Sequence, residues 1–137
     1  MKFLLDTSVW LRAVNQPDSI PKPIRSLLED TGELFGLSAI SLWEVGKKYQ
    51  IGKLPLPVSL EGWFKLAITS RLELIQLGAD IVNEAMKLPA FPNRDPADEL
   101  IVATARVRQL TLLTTDTKLK GYRHARIQYF KPLTEAE

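Results

Sequence analysis

Short apolar runs alternate along this chain with segments of helical period, and several of those runs stop at an acidic residue; that alternation leaves few folds open. Residues 2–5 form an apolar run that ends at Asp6, and Thr7-Ser8 then lead into Val9-Trp10-Leu11, as a buried strand does before a helix. Prolines at 17, 21 and 23 punctuate the next stretch, where Ile24, Leu27 and Leu28 show helical spacing that ends near Gly32. Further strands are predicted at 34–38, 72–77 and 110–115, with an edge strand at 126–130.

Helices are predicted between these runs. Ser41-Leu42-Trp43-Glu44 reads as a capping box, a Ser followed three residues later by Glu, which opens a helix over 42–50 that Gly52 ends. Leu54-Pro55-Leu56-Pro57 reads as an extended link, after which Ser59 caps a helix carrying Trp63, Phe64, Ala67 and Ile68, so that residues 42–70 form a proline-interrupted helical hairpin. A helix over 79–88 stops at Pro89, and one opening at 93–98 is apolar on most of its surface, through Leu100, Ile101, Ala103, Thr104, Ala105 and Val107, and is therefore largely buried.

Strands separated by helices imply right-handed crossovers and a mainly parallel sheet, so the fold class is α/β. A length of 137 residues with 45% hydrophobic residues suits one domain, 1–137, and no repeat or linker interrupts it. The absence of cysteine removes disulfides and thiolate metal sites and points to the cytoplasm. The amino-terminal apolar run is too short for a signal segment, and no stretch approaches the roughly 20 apolar residues of a membrane span.

Acids stand at the ends of four of these elements: Asp6 and Asp116 after strands, Glu44 and Asp98 in the first turns of helices. Ligands in parallel sheets sit beyond the carboxyl ends of the strands, which is where Asp6 and Asp116 fall. Carboxylates gathered at one rim repel one another unless cations neutralise them, and an all-oxygen set selects magnesium or manganese over zinc. With one histidine and no cysteine, softer sites are excluded, and hard cations of this kind suit hydrolysis of a phosphodiester. Setting four of the 16 acids aside leaves 12 against 18 basic residues, a balance of +6 that suits a polyanion held over a negative centre, although an ordinary solvated surface accounts for the charge equally well.

Each position also has a purely structural reading. Glu44 completes the capping box, Asp98 suits the dipole of its helix, and Asp116 can start a turn. Asp6 is harder to account for in this way, although Thr7 or Ser8 can serve as the cap of the helix that follows. Asp95, directly before Pro96, reads as a helix cap. His124, in a basic segment, reads as a surface residue; Trp10, Trp43 and Trp63 read as core or dimer packing ahead of base stacking, and Lys47, Lys48, Lys53, Lys118 and Lys120 as a solvated face at least as readily as a grip on RNA phosphates.

The strings FLLDTSVWL from Phe3, LSAISLWEVGKKYQIGKLPLP from Leu37 and NRDPADELIVATARVRQLTLLTTD from Asn93, in this order and at these separations, resemble the PIN-domain ribonucleases, in particular VapC-like toxins. The resemblance implies a PIN-like three-layer fold with a mainly parallel central sheet of four or five strands flanked by helices. It also implies a Mg2+- or Mn2+-dependent endoribonuclease, checked by a small VapB-like antitoxin and expected as a homodimer. Residue by residue it carries catalytic and metal-binding roles to Asp6, Glu44, Asp98 and Asp116, and a supporting polar role to Thr7 or Ser8. Many relatives have Arg after the second Asp of the Asp-Pro-x-Asp segment, where this chain has Glu99. Two other readings compete: an aspartyl-phosphate phosphatase, which wants a second Asp where Ser8 stands, or a receiver, which wants a paired acid beside Asp6, and a catalytically silent PIN-like protein-binding module, against which the presence of all four acids argues.

Overall fold

A computed structural model describes residues 1–30 and 32–133; of the expected domain over 1–137, residue 31 and residues 134–137 lie outside the described set. Five strands form one sheet: β1 (Phe3–Leu5), β2 (Phe35–Ser38), β3 (Leu72–Ile75), β4 (Thr111–Thr114) and β5 (Ile127–Tyr129), in the order β3-β2-β1-β4-β5. Every pairing is parallel, including the edge strand β5. The link from β4 to β5 holds turns and no helix, and it is about as short as a parallel crossover allows, roughly a dozen residues.

Six helices cover the sheet: α1 (Thr7–Asn15), α2 (Lys22–Glu29), α3 (Ala39–Gln50), α4 (Leu60–Ala67), α5 (Ala79–Ala85) and α6 (Pro96–Arg108). Alternation along β1 sends Leu4 into a core built with α5 and α6, and Leu5 into a second core with α1, α2 and α4, which is the three-layer arrangement. As predicted, α6 is largely buried, with residues 101–105 inaccessible, because its apolar residues face both the sheet and α5. Gly52 takes a positive φ of 78° just after α3, the left-handed conformation that ends a helix at little cost for glycine. No helix of the described residues is long and apolar enough to cross a membrane.

The start of α3 differs from the sequence expectation. The helix begins at Ala39, directly after β2, and its cap is Ser38, whose Oγ accepts from the Ile40 N–H. Ser41-to-Glu44 is therefore no capping box: strand β2 delivers Ser38 first, and once the helix has started Ser41 is already inside it. Glu44 lies in the second turn, not the first. The cap of α1 is likewise neither Thr7 nor Ser8 but Asp6, whose Oδ1 accepts from the Thr7 N–H at 2.9 Å. Asp95 caps α6 as expected, accepting from the N–H groups of Ala97 and Asp98.

Of the three tryptophans, Trp10 and Trp63 are core residues at 1% exposure, packed edge to face with centroids 4.9 Å apart. Their indole N–H groups donate to the Ala67 carbonyl and the Asn15 side chain. Trp43 is 60% exposed, so its apolar helical spacing does not place it in the core. Trp63→Ala should cost about 3–5 kcal/mol, through the cavity it leaves. Urea unfolding checks this, and a loss below about 1 kcal/mol would mean that the α1–α4 core is not packed as described.

Candidate functional site

The strand order turns at β1: the chain proceeds outward to β2 and β3 on one side, then to β4 and β5 on the other. Such a switch point opens a crevice beyond the carboxyl ends of the two strands that part there. Asp6 leaves β1 at that place, with its backbone N–H bonded to the Leu113 carbonyl of β4 at 3.0 Å. Its carboxylate is only 5% exposed and is held from two sides, by the Thr7 N–H and by the Thr114 hydroxyl at 2.6 Å. Burial raises its pKa, and Asp116 raises it further, against the lowering by the two hydrogen bonds and by Lys48.

Glu44 reaches the same rim from α3. Thr7 Oγ1 donates to its Oε1 at 2.5 Å and also meets Ser41 Oγ at 2.7 Å, so a buried chain of hydroxyls links α1 to α3 beneath the acid. Desolvation raises the Glu44 pKa, and Asp6 and Asp95 add to the rise while Thr7 and Lys48 oppose it. Asp98, in the first turn of α6, is held by the Asn93 amide at 3.1 Å. Its pKa is raised to about 7, first by desolvation and then by repulsion from Asp6, Asp95, Asp116 and Glu44.

Asp116 lies just past β4. Its N–H donates to Thr114 Oγ1 and its Oδ1 accepts from the Lys118 N–H, so it does start a turn, and it adds its charge to Asp6 and Asp98 as well. Turn residue and rim acid are compatible roles here. Thr7 stands under Glu44, whereas Ser8 points to the Thr115 hydroxyl at 3.0 Å and braces α1 against the loop after β4. His124 is remote from the acids, edge to face against Tyr122.

Asp6, Glu44 and Asp116 thus all lie close enough to Asp98 for their charge to raise its pKa. Among the described residues, no three acids or histidines are gathered into a ready cage for an ion. Sequence reasoning did not single out Thr114 or Asn93, and it took Ser41 for a helix cap, not for the partner of Thr7. Threonine in a strand reads as a β-former and asparagine before a helix as a turn residue, and nothing local marks either as the partner of an acid.

The candidate donors are all oxygens and four of them are carboxylates, a donor set of the kind that hard divalent cations take.

The PIN domain family matches residues 3–125. Ribonuclease VapC22 of Mycobacterium tuberculosis is 28% identical over 125 residues, covering 90% of this chain and 93% of that protein. Among solved structures, VapBC2 from Rickettsia felis bound to a DNA fragment from its promoter superposes with a TM-score of 0.70 at 23% identity, over 94% of this chain and 98% of that one. DNA-bound VapBC from Salmonella typhimurium gives 0.72 at 23% identity, with the same coverage of 94% and 98%. With the family match spanning residues 3–125, and with it Asp6, Glu44, Asp98 and Asp116, this chain belongs to the PIN-domain family.

Proposed function

We propose that this chain is a metal-dependent endoribonuclease that hydrolyses RNA phosphodiester bonds, the toxin component of a VapBC-type toxin–antitoxin pair. The observation that carries this reading is the meeting of Asp6, Glu44, Asp98 and Asp116 at the switch point of a PIN-domain sheet. Similarity to a protein named as a ribonuclease, and to toxins solved in VapBC complexes, supports it. The whole chain, 1–137, acts as one PIN domain in the cytoplasm, and a homodimer is its working form.

Asp6, Glu44, Asp98 and Asp116 would hold Mg2+ or Mn2+. Such a cation, when bound, supplies charge stabilisation at the scissile phosphate and acidifies attacking water. The chain itself supplies position. Asp6 cannot swing away, because Thr114 and the Thr7 N–H fix both its oxygens. Thr7 holds Glu44, and Asn93 holds Asp98. Lys48 lies close enough to lower the pKa values of Asp6 and Glu44, so it tempers the negative rim where a phosphate approaches.

A small VapB-like antitoxin is the proposed partner. The proline link after α3 and the outer side of α1 wall a cavity of about 590 Å³, lined by Leu11, Leu54, Pro55 and Pro57 with Arg12 and Lys48 at its edges. An apolar helix or extended tail fits such a groove beside the acidic rim.

Asp6→Asn and Asp98→Asn should each lower Mg2+-dependent RNA cleavage by at least about 100-fold while the purified proteins keep their far-ultraviolet dichroism, the scale on which removal of a charge-stabilising group acts. Full activity in both would refute the assignment. Expression of the chain alone should arrest growth, and the Asp6→Asn change should abolish the arrest; arrest that persists in that variant would mean binding without catalysis.

The raised pKa of Asp98 also sets a pH dependence. The folded chain keeps that proton up to about pH 7, while the unfolded chain releases it near the ordinary value of 3.8. Its contribution to stability is therefore full below the unfolded pKa and is lost as pH rises through about 7. In the presence of a chelator, Tm should fall between pH 5 and pH 8, and added Mg2+ should restore it more at pH 8 than at pH 5. Asp98→Asn should flatten this slope; a slope identical to that of the unsubstituted chain would show that Asp98 does not carry it.

A further inference from the structure

Trp43 is the largest side chain that the fold leaves uncovered. It stands one residue before Glu44 on α3, and its 60% exposure is a cost that the packing of this chain does not explain. The indole borders a trough of about 650 Å³ between α3 and the start of α6, floored by Ile40, Pro96, Ala97 and Leu100. Glu44, Asp95, Lys47 and Lys48 also line this trough. Neither lysine has an ion-pair partner among the described residues, and Lys47 Nζ donates only to Gln50, one turn away.

We propose that this trough is a nucleotide subsite, in which Trp43 stacks a base of single-stranded RNA next to the scissile phosphate while Lys47 takes the adjoining phosphate. The proposal rests on the ribonuclease reading and names how its substrate is gripped. A nucleotide offers a flat apolar face and an anion a few ångströms apart, and the trough offers an exposed aromatic face and an uncommitted ammonium within one helical turn, at positions i and i+4. Two lysines without ion-pair partners beside an exposed indole suit a polyanion that carries flat bases. The other strongly exposed apolar side chains, Leu66 on α4 and Met86 after α5, do not border this trough. Stacking tolerates any base, so the subsite positions the chain without reading its sequence.

Fluorescence separates this site from the core, because Trp10 and Trp63 are shielded at 1% exposure. The Asp98→Asn protein is titrated with a pentaribonucleotide of adenosine and with the same backbone lacking its bases. Saturable quenching by the first but not the second is expected, absent when Trp43→Phe is added. Trp43→Ala should weaken binding about tenfold, and Trp43→Phe less than about threefold, since stacking survives on a smaller ring. In proteins with Asp98 intact, Trp43→Ala should raise KM about tenfold and change kcat by less than about twofold, the pattern of lost ground-state binding.

Quenching that is absent or equal for the baseless strand overturns the proposal. So does a Trp43→Ala protein that binds RNA normally, and if that protein sediments at half the mass, Trp43 is a contact between copies instead. The binding arms need no cleavage: a chain that stacks RNA but never cuts it loses the ribonuclease reading alone, and one that cuts RNA independently of Trp43 loses the subsite alone.

Discussion

A carboxylate placed almost out of water at the end of a central strand is the constraint around which the remainder is arranged. An ionised group in such a place costs several kcal/mol unless hydrogen bonds and charge compensate it. Asp6 receives compensation from two sides at once: the amide end of α1, through the N–H of Thr7, and the hydroxyl of Thr114 on β4. Each comes from a different piece of the fold, so β1, α1 and β4 have to be in register before the acid is satisfied. The backbone of Asp6 adds to the same lock, with its N–H on β4 and its carbonyl accepting from Val9 and Trp10.

The other acids are placed with less burial and more mutual repulsion. Glu44 leans on a threonine one helix away, Asp98 on an asparagine five residues earlier, and Asp116 on the turn it begins. The resulting gradient runs from the deeply buried Asp6 to the half-buried acids at the rim. Hydrogen bonds from neutral groups fix position without cancelling charge, which leaves the negative potential of the crevice available to cations and to a strand threaded over them.

The sheet was readable from the chain because its strands are short apolar runs, and a run such as Leu110-Thr111-Leu112-Leu113 has few alternatives. Asp6 and Asp116 stand out in the chain because each follows such a run, whereas Glu44 and Asp98 lie inside helices and stand out only beside the resemblance. The wrong start for α3 shows where local reading fails: Ser38 and Ser41 are both chemically able to cap, and the choice depends on where β2 stops, which pairing with β1 and β3 decides. Trp43 shows the reverse problem. Helical spacing gives it an apolar address, but whether another element arrives to cover that address is a property of the assembled layers. Thr114, which holds Asp6, and Ser41, which meets Thr7 beneath Glu44, were invisible for a similar reason, since each contact joins residues more than 30 positions apart.

The hydroxyl chain beneath Glu44 has a direction. Thr7 owns one hydroxyl proton, and donating it to Glu44 leaves only lone pairs for Ser41, so the Ser41 proton has to point at Thr7. The order of donation, serine to threonine to carboxylate, is dictated by the negative charge at its far end. Were Glu44 to take up a proton, it could donate back, and both hydroxyls would be free to reverse together. The orientation of a fully enclosed serine thus registers the ionisation state of an acid it never touches.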